Sequence, residues 1–353
     1  MGTRIMSVCL TVEEQEIGDG CPCFIVAEVG QAHDGSLGSA HALVDAIARS
    51  GANAVKFQTH IAAAESTTAE PFRTATWRQD ATRYDYWKRM EFTEEQWREL
   101  AVHVRRLGLV FLSSPFSLAA VELLERVGMP AWKVPSGEIT NTPLLRRLAS
   151  TRAPVLLSTG LATWQEIDTA VEILSTARSP VALYQCTTSY PCRPEDLGLN
   201  LLGEMRRRYR CPVGLSDHSG CVAAGLAAVT LGANLLEVHV TLSREAFGPD
   251  VSSSLTTTEL TNLVNGVRFI ERAVARPVDK ENAVAEAAEL RYIFGKGIVA
   301  SRDLPSGHRL AASDLCLKKP ANGIPAARWD SVIGRRLICG VAADSPIEDQ
   351  NLD

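Results

Sequence analysis

Pro212-Val-Gly-Leu-Ser-Asp-His-Ser219 and Leu235-Leu-Glu-Val-His-Val-Thr-Leu242 are two short apolar runs, and each carries a histidine near its end. Six runs of the same kind precede them: Phe24–Gly30, Ala54–His60, Val110–Phe116, Ala131–Gly137, Val155–Gly160 and Val181–Tyr190. Runs of this length read as strands, and helix-like stretches separate most of them. That alternation predicts an α/β fold, a (β/α)8 TIM barrel, whose reactive groups sit at the carboxyl ends of the strands. Polar residues fall at those ends: Glu28, Lys56, Ser114, Lys133 with Ser136 and Glu138, Ser158, Tyr190, His218 and His239. Chemistry gathered at one face of a barrel predicts an enzyme.

A barrel takes roughly 250 residues, so a chain of 353 residues holds more than one. The barrel domain is expected over residues 1–275, with residues 1–23 as a lead-in hairpin across its bottom face. Residues 61–92, rich in Thr, Arg and aromatics (Trp77, Tyr84, Tyr86, Trp87), read as an unusually long loop at the catalytic end. Such loops usually shape a substrate pocket. Residues 276–293 read as a linker with an Ala/Glu-rich helical pattern. Residues 294–353 read as a small β-rich domain, with short strands at Gly297–Ser301, Asp314–Lys318 and Leu337–Val341.

Net charge is −5, and there is no basic run of the kind that marks nucleic-acid binding. Arg206–Arg208 with Arg210 precedes a strand and reads as a solvated helix end. No apolar stretch approaches the roughly 20 residues of a membrane span, and the first residues lack a signal-peptide layout. A cytoplasmic protein is expected. The nine cysteines are irregularly spaced, which argues for reduced thiols and against a disulfide framework. Cys21-Pro-Cys23 lacks a second Cys or His pair to complete a metal site.

His218 and His239 end consecutive strands, so the barrel places two imidazoles side by side at its mouth. Such a pair suits a divalent ion acting as Lewis acid, with water or substrate oxygens in the open positions. The bland alternative is that each histidine only hydrogen-bonds the backbone. Lysine is scarce, yet Lys56 and Lys133 sit inside strands, where an unpaired ammonium is costly to bury. Ser114, Ser136, Ser158 and Ser216 lie at neighbouring strand ends. Two cations ringed by hydroxyls describe a cradle for phosphate and carboxylate. Pairing of each lysine with a strand carboxylate such as Glu28 or Glu138 is the structural alternative, and a Schiff-base role for Lys133 is a further one. Glu28 and Glu138 are candidates for proton transfer or for holding a sugar hydroxyl.

These residues carry a resemblance. Ala27-Glu-Val-Gly-Gln-Ala-His-Asp-Gly35, Lys56-Phe-Gln-Thr-His60, Ser113-Ser-Pro-Phe116, Lys133-Val-Pro-Ser-Gly-Glu138, Leu157-Ser-Thr-Gly160, Gln185-Cys-Thr-Thr-Ser-Tyr-Pro191, Gly214-Leu-Ser-Asp-His218 and Gly248-Pro-Asp250 resemble, in order, the sialic acid (nonulosonic acid) synthases. Lys319-Pro-Ala-Asn-Gly-Ile-Pro325 and Val332-Ile-Gly-Arg-Arg336 are similar to the antifreeze-like (SAF) domain that ends those enzymes. The resemblance implies condensation of phosphoenolpyruvate with an N-acylated amino sugar to give a 2-keto-3-deoxy sugar acid and phosphate. It implies a manganese-like ion on His218 and His239, with magnesium or cobalt as alternatives. Phosphoenolpyruvate is then expected on Lys56, Ser114, Lys133, Ser136, Ser158 and Ser216. Glu28, Gln58, Tyr190 and Asp250 are expected to face the sugar, with Glu138 as acid–base group. It also implies a domain-swapped homodimer in which Lys319 reaches the neighbouring subunit's pocket. Ala32, Thr188, Val238, Lys319 and Ala321 depart from the family pattern, all on the sugar side, so the reaction is better defined than its acceptor. Two readings compete with it: a synthase of the 3-deoxy-heptulosonate or octulosonate type, and a non-catalytic sugar-binding homologue.

Overall fold

The computed structural model describes residues 9–74 and 79–353. Residues 1–8 of the lead-in and Trp77 of the insertion lie outside the described residues. Two compact units form, Met1–Ala275 and Arg276–Asp353.

The first unit opens with an antiparallel hairpin, β1 (Leu10–Val12) and β2 (Gln15–Ile17). Eight strands follow: β3 (Phe24–Gly30), β4 (Ala54–Thr59), β5 (Val110–Pro115), β6 (Trp132–Val134), β7 (Val155–Ser158), β8 (Val181–Cys186), β9 (Val213–Asp217) and β10 (Leu235–Thr241). Their hydrogen-bonded pairs are all parallel, in the order β5-β4-β3-β10-β9-β8-β7-β6, with β5 beside β6 at the seam. This is a nearly closed barrel. Each predicted run contains a strand, but β6 and β8 stop short. Ser136 and Glu138 therefore lie in a 3-10 turn, and Tyr190 lies in the loop beyond Cys186. A two-residue strand, β11 (Leu255–Thr256), adds to β10.

Alternation within the strands sorts the side chains. Ile25 and Ala27 of β3, Val55 and Phe57 of β4, and Leu236, Val238 and Val240 of β10 pack into the core beneath the surrounding helices. The other parity points to the barrel axis. At the bottom it is apolar: Phe24, Val26, Ala54, Val110, Leu112, Leu156, Ala182 and Leu235 form one cluster with Leu10, Val12 and Ile17 of the hairpin. The hairpin plugs the bottom, as expected. Continuing upward in steps of two, the same stripe becomes Glu28, Lys56, Gln58, Ser114, Lys133, Ser158, Ser216, Glu237 and His239. The core below fixes the direction in which the polar residues above must point.

The helices are defined at their ends. Ser36, Thr93, Ser117, Thr163 and Thr256 accept from the backbone three residues on, and Gly51 and Gly128 end their helices in the left-handed region. The 61–92 segment is not the plain loop expected from its composition. It contains helices Ala62–Glu65 and Arg83–Met90; the second starts from a Thr82/Asp85 capping box and buries Tyr86, Trp87 and Met90 against Ala62.

The second unit begins with helices Lys280–Glu286 and Ala288–Phe294 and continues with an antiparallel pair, β12 (Gly297–Ala300) and β13 (Leu315–Lys318). Its own core includes Ile298, Leu304, Leu310, Ile324, Val332 and Ile347. Leu337–Val341 is not the strand expected there; it makes only isolated bridges, Leu337 to Leu352 and Val341 to Leu304. Among the described residues no helix is long and apolar enough to cross a membrane, and no disulfide forms.

Candidate active site

A cavity of about 400 Å³ opens at the carboxyl ends of the strands. Two lysines form its floor. Lys56 Nζ stands 2.5 Å from Glu28 Oε2 and 3.3 Å from Glu237 Oε1, and donates to Ser114 Oγ at 3.3 Å. Lys133 Nζ stands 3.1 Å from the same Glu237 oxygen and donates to Ser158 Oγ at 2.8 Å. Ser216 Oγ also donates to Glu237 Oε1, at 3.1 Å. One buried carboxylate oxygen thus gathers both lysines and a serine, while Glu237 Oε2 has no hydrogen-bond partner among the described residues. Burial opposes the charge on Glu237, but Lys133 and Lys56 outweigh it and hold the carboxyl down to about 2. Burial, reinforced by Lys133 and opposed by Glu237, draws Lys56 down to about 7.

The lysines therefore do pair with strand carboxylates, as the structural alternative required, but with Glu28 and Glu237 and not with Glu138. Pairing does not remove them from the cavity. Lys56, Lys133, Ser158 and Ser216 line its wall, with Ser136 above them.

The two histidines face each other across the wall, ring centroids 5.2 Å apart. His218 Nδ1 lies 2.9 Å from the Thr187 carbonyl, which can only accept; Nε2 is left for the Tyr190 hydroxyl at 3.1 Å. His239 is buried, and burial drives its pKa down to about 3 against the pull of Asp250, whose Oδ2 is 3.8 Å from Nδ1. Burial also lowers His218, but the Cys186 thiol and the Thr187 carbonyl more than offset that and raise it above the usual imidazole value. No group of three or more His, Cys, Asp or Glu converges as a cage among the described residues. A pair of nitrogen donors without a third ligand fits an exchangeable ion with open positions and does not fit a closed structural site.

The outer wall is aromatic and acidic. Gln58 Nε2 donates to Glu28 Oε1 at 3.0 Å, and Gln58 Oε1 accepts from Gln31 Nε2 at 3.2 Å. His60 is stacked between Trp87 and Phe116, with centroids at 3.9 and 4.4 Å, and contacts Glu65 at 2.6 Å. Glu138 is half-buried, accepts from Asn141 Nδ2 at 2.7 Å, and is raised above the usual carboxylate range by burial. Thr188, Tyr190 and Asp250 complete this side. Asp250 is held below the usual range, because His239 and Arg73 outweigh the effect of burial.

Most residues singled out in the sequence thus share one cavity. Glu28 and Ser114 do not line it; they are fully buried behind Lys56 and Gln58. Lys319 belongs to the second unit, its Nζ 5.4 Å over the Phe294 ring. Sequence reasoning missed Glu237, Cys186, Gln31, His60 and Arg73, all of which line the cavity. The inward parity shared by Leu235, Glu237 and His239 was the available signal for Glu237. Cys186 continues the inward parity of Ala182 and Tyr184 in β8, whereas Gln31 and His60 lie just past strand ends and Arg73 in the insertion, where periodicity says nothing.

Residues 43–279 match the NeuB family and residues 295–353 match the SAF domain. The N,N'-diacetyllegionaminic acid synthase of Campylobacter jejuni is 35% identical over 88% of this chain and 94% of that protein. The human N-acetylneuraminate-9-phosphate synthase is 31% identical over 96% of this chain and 94% of its own. Among solved structures, the N-acetylneuraminic acid (sialic acid) synthetase of Leptospira borgpetersenii, in complex with citrate, superposes with a TM-score of 0.72 at 30% identity, covering 82% of this chain and 98% of that one.

Proposed function

Because the chain belongs to the NeuB family, we propose that it condenses phosphoenolpyruvate with an N-acylated amino sugar, forming a carbon–carbon bond and releasing phosphate. The observation that carries this reading is the pair of buried lysines, tied to serine hydroxyls, at the base of a cavity that also holds two facing imidazoles.

Lys56 and Lys133 hold the phosphate and carboxylate of phosphoenolpyruvate, with Ser136, Ser158 and Ser216 donating from the wall and Ser114 bracing Lys56 from behind. The open-chain sugar lies against Gln58, Thr188, Tyr190 and Asp250. A divalent ion of the manganese kind, held by His218 and His239, would supply Lewis acidity at the aldehyde oxygen. Carbon 3 of phosphoenolpyruvate bonds to the aldehyde carbon, whose oxygen takes up a proton, and positive charge develops at carbon 2. Water adds there, giving a proton to Glu138, whose raised pKa suits it to that exchange. Glu138 returns the proton to the departing phosphate as the carbon 2–oxygen bond breaks. The water's second proton leaves as the hydroxyl becomes the keto oxygen, which balances the one taken up at the aldehyde. Lys56 and Lys133 stabilise the charge on the leaving phosphate. Glu28 keeps Lys56 and Gln58 in position.

The proposal includes a homodimer with Lys319 completing the partner's pocket, and action in the cytoplasm. A phosphate-release assay with phosphoenolpyruvate, manganese and a panel of aldoses tests the reaction. Release should require an N-acylated amino sugar and should cease on chelation of the metal, with recovery when it is restored. Release only with short aldose phosphates of the heptulosonate type, or with no aldose at all, overturns the reading. Undiminished turnover after thorough demetallation removes the Lewis-acid role.

A further inference from the structure

We propose that Arg73, delivered by the long insertion, is a specificity-determining positioning residue for the acceptor. Its guanidinium carbon sits 4.0 Å from the centroid of the Tyr190 ring. Its Nη2 also bonds Asp250 Oδ1, and lies 3.2 Å from the Pro249 carbonyl. These two partners are the residues that touch the histidines: the Tyr190 hydroxyl is 3.1 Å from His218 Nε2, and Asp250 Oδ2 is 3.8 Å from His239 Nδ1. One planar cation therefore clamps an aromatic face and a carboxylate that come from different loops, beyond β8 and beyond β10. A lone surface ion pair would do little. Here the carboxylate is buried, with side-chain exposure of 12%, and the stacking is possible because the guanidinium is flat and delocalised.

The clamp lies on the sugar side of the cavity. The lysine floor is built from β3, β4, β6 and β10, and among the described residues it shares no ion pair with Arg73, whose ion pair is to Asp250. Loss of Arg73 frees Asp250 and Tyr190 to adopt other orientations and leaves Lys56, Lys133 and Glu237 as they are. The expected consequence is a defect confined to the acceptor. The inference rests on the proposed condensation, so the wild-type enzyme must first release phosphate in response to both substrates; absence of that response counts against the reaction and not against Arg73.

The test is steady-state kinetics of Arg73→Ala and Arg73→Lys with each substrate varied in turn, alongside thermal unfolding. For Arg73→Ala the acceptor KM should rise about tenfold while the phosphoenolpyruvate KM stays at the wild-type value. Arg73→Lys keeps the charge on Asp250 and loses the flat stacking face, so its acceptor KM should fall between the two. Arg73 is partly exposed, with 34% of its side chain accessible, and Tm should hardly change. An unchanged acceptor KM in Arg73→Ala overturns the inference. So does an equal rise in both KM values, or a lysine variant no better than the alanine one.

Discussion

Lys56 and Lys133 each place an ammonium inside a barrel, which is tolerable only because Glu28, Glu237 and three serines surround them. Removing either lysine should raise the phosphoenolpyruvate KM by roughly thirtyfold or more, since losing one partner of a buried charge-assisted contact costs on the order of 2–5 kcal/mol. The sugar KM should move far less; near-normal phosphoenolpyruvate kinetics in both variants would make the lysines purely structural. A pH dependence follows as well. Lys56, lowered by burial to about 7, is charged below that pH and neutral above it. An anion bound beside it favours the charged form, so phosphoenolpyruvate affinity should fall as pH rises through this range and binding should take up a proton. Calorimetry in two buffers of different ionisation heat reads that proton directly, and identical heats would contradict it. That the lysines needed an anionic partner was legible from their scarcity and their place in strands. That Glu237 was the shared partner was not, because it lies far along the chain and reaches Lys56 and Lys133 only once the barrel has closed.

At the scale of elements, the two strands that lead to the histidines, β9 to His218 just beyond it and β10 carrying His239, approach closely at a glycine. A Cβ on Gly214 of β9 would collide with the carbonyl oxygen of Leu235 in β10. Gly214→Ala must therefore push apart the backbones that present His218 and His239. Overpacking of this kind costs about 1–3 kcal/mol. The variant should unfold at lower denaturant concentration than wild type and turn over more slowly, and, with a divalent ion on the two histidines as proposed, it should need more of that ion for half-maximal rate. Wild-type stability together with a wild-type rate would show that the strands tolerate the shift. The apolar runs were sound guides to strand centres and poor guides to their ends. Ser136 and Tyr190 were expected within strand runs, but Ser136 sits with Glu138 in the 3-10 turn after β6 and Tyr190 in the loop after β8, because ladder pairing ends where the chain emerges from the core: Ser136 and Tyr190 are half-buried and Gly137 and Thr188 exposed. The helix Arg83–Met90 was missed for the opposite reason: its sequence is polar, and only its fit under Ala62 shows which of its residues are buried.

At the scale of the whole molecule, the second unit has its own core, which agrees with a module that packs independently. With Lys319 proposed to serve the partner's pocket, neither a Lys319→Ala nor a His218→Ala preparation should have full activity alone. Mixed and given time to exchange subunits, they should regain part of it, since one of the two pockets then has both residues intact. A mixture as inactive as its parents refutes the arrangement in trans, as does a protein that runs as a monomer at working concentration.

The barrel and the polar ring at its top were written in the chain as short apolar runs, spaced by helix-like stretches and ending in polar clusters, a local signal that needs no knowledge of distant residues. The same runs placed Lys56 and Lys133 inside strands and His218 and His239 at strand ends before any contact was known, and the motifs carried the family. Only the tertiary structure decided which carboxylate neutralises the lysines, that Glu28 and Ser114 stand behind the wall, and that Arg73 reaches Tyr190 and Asp250. Those are choices among partners far apart in sequence. Electrostatic pairing acts over a few ångströms in space, so it is settled by strand register and barrel closure, which bring together residues that no local pattern connects.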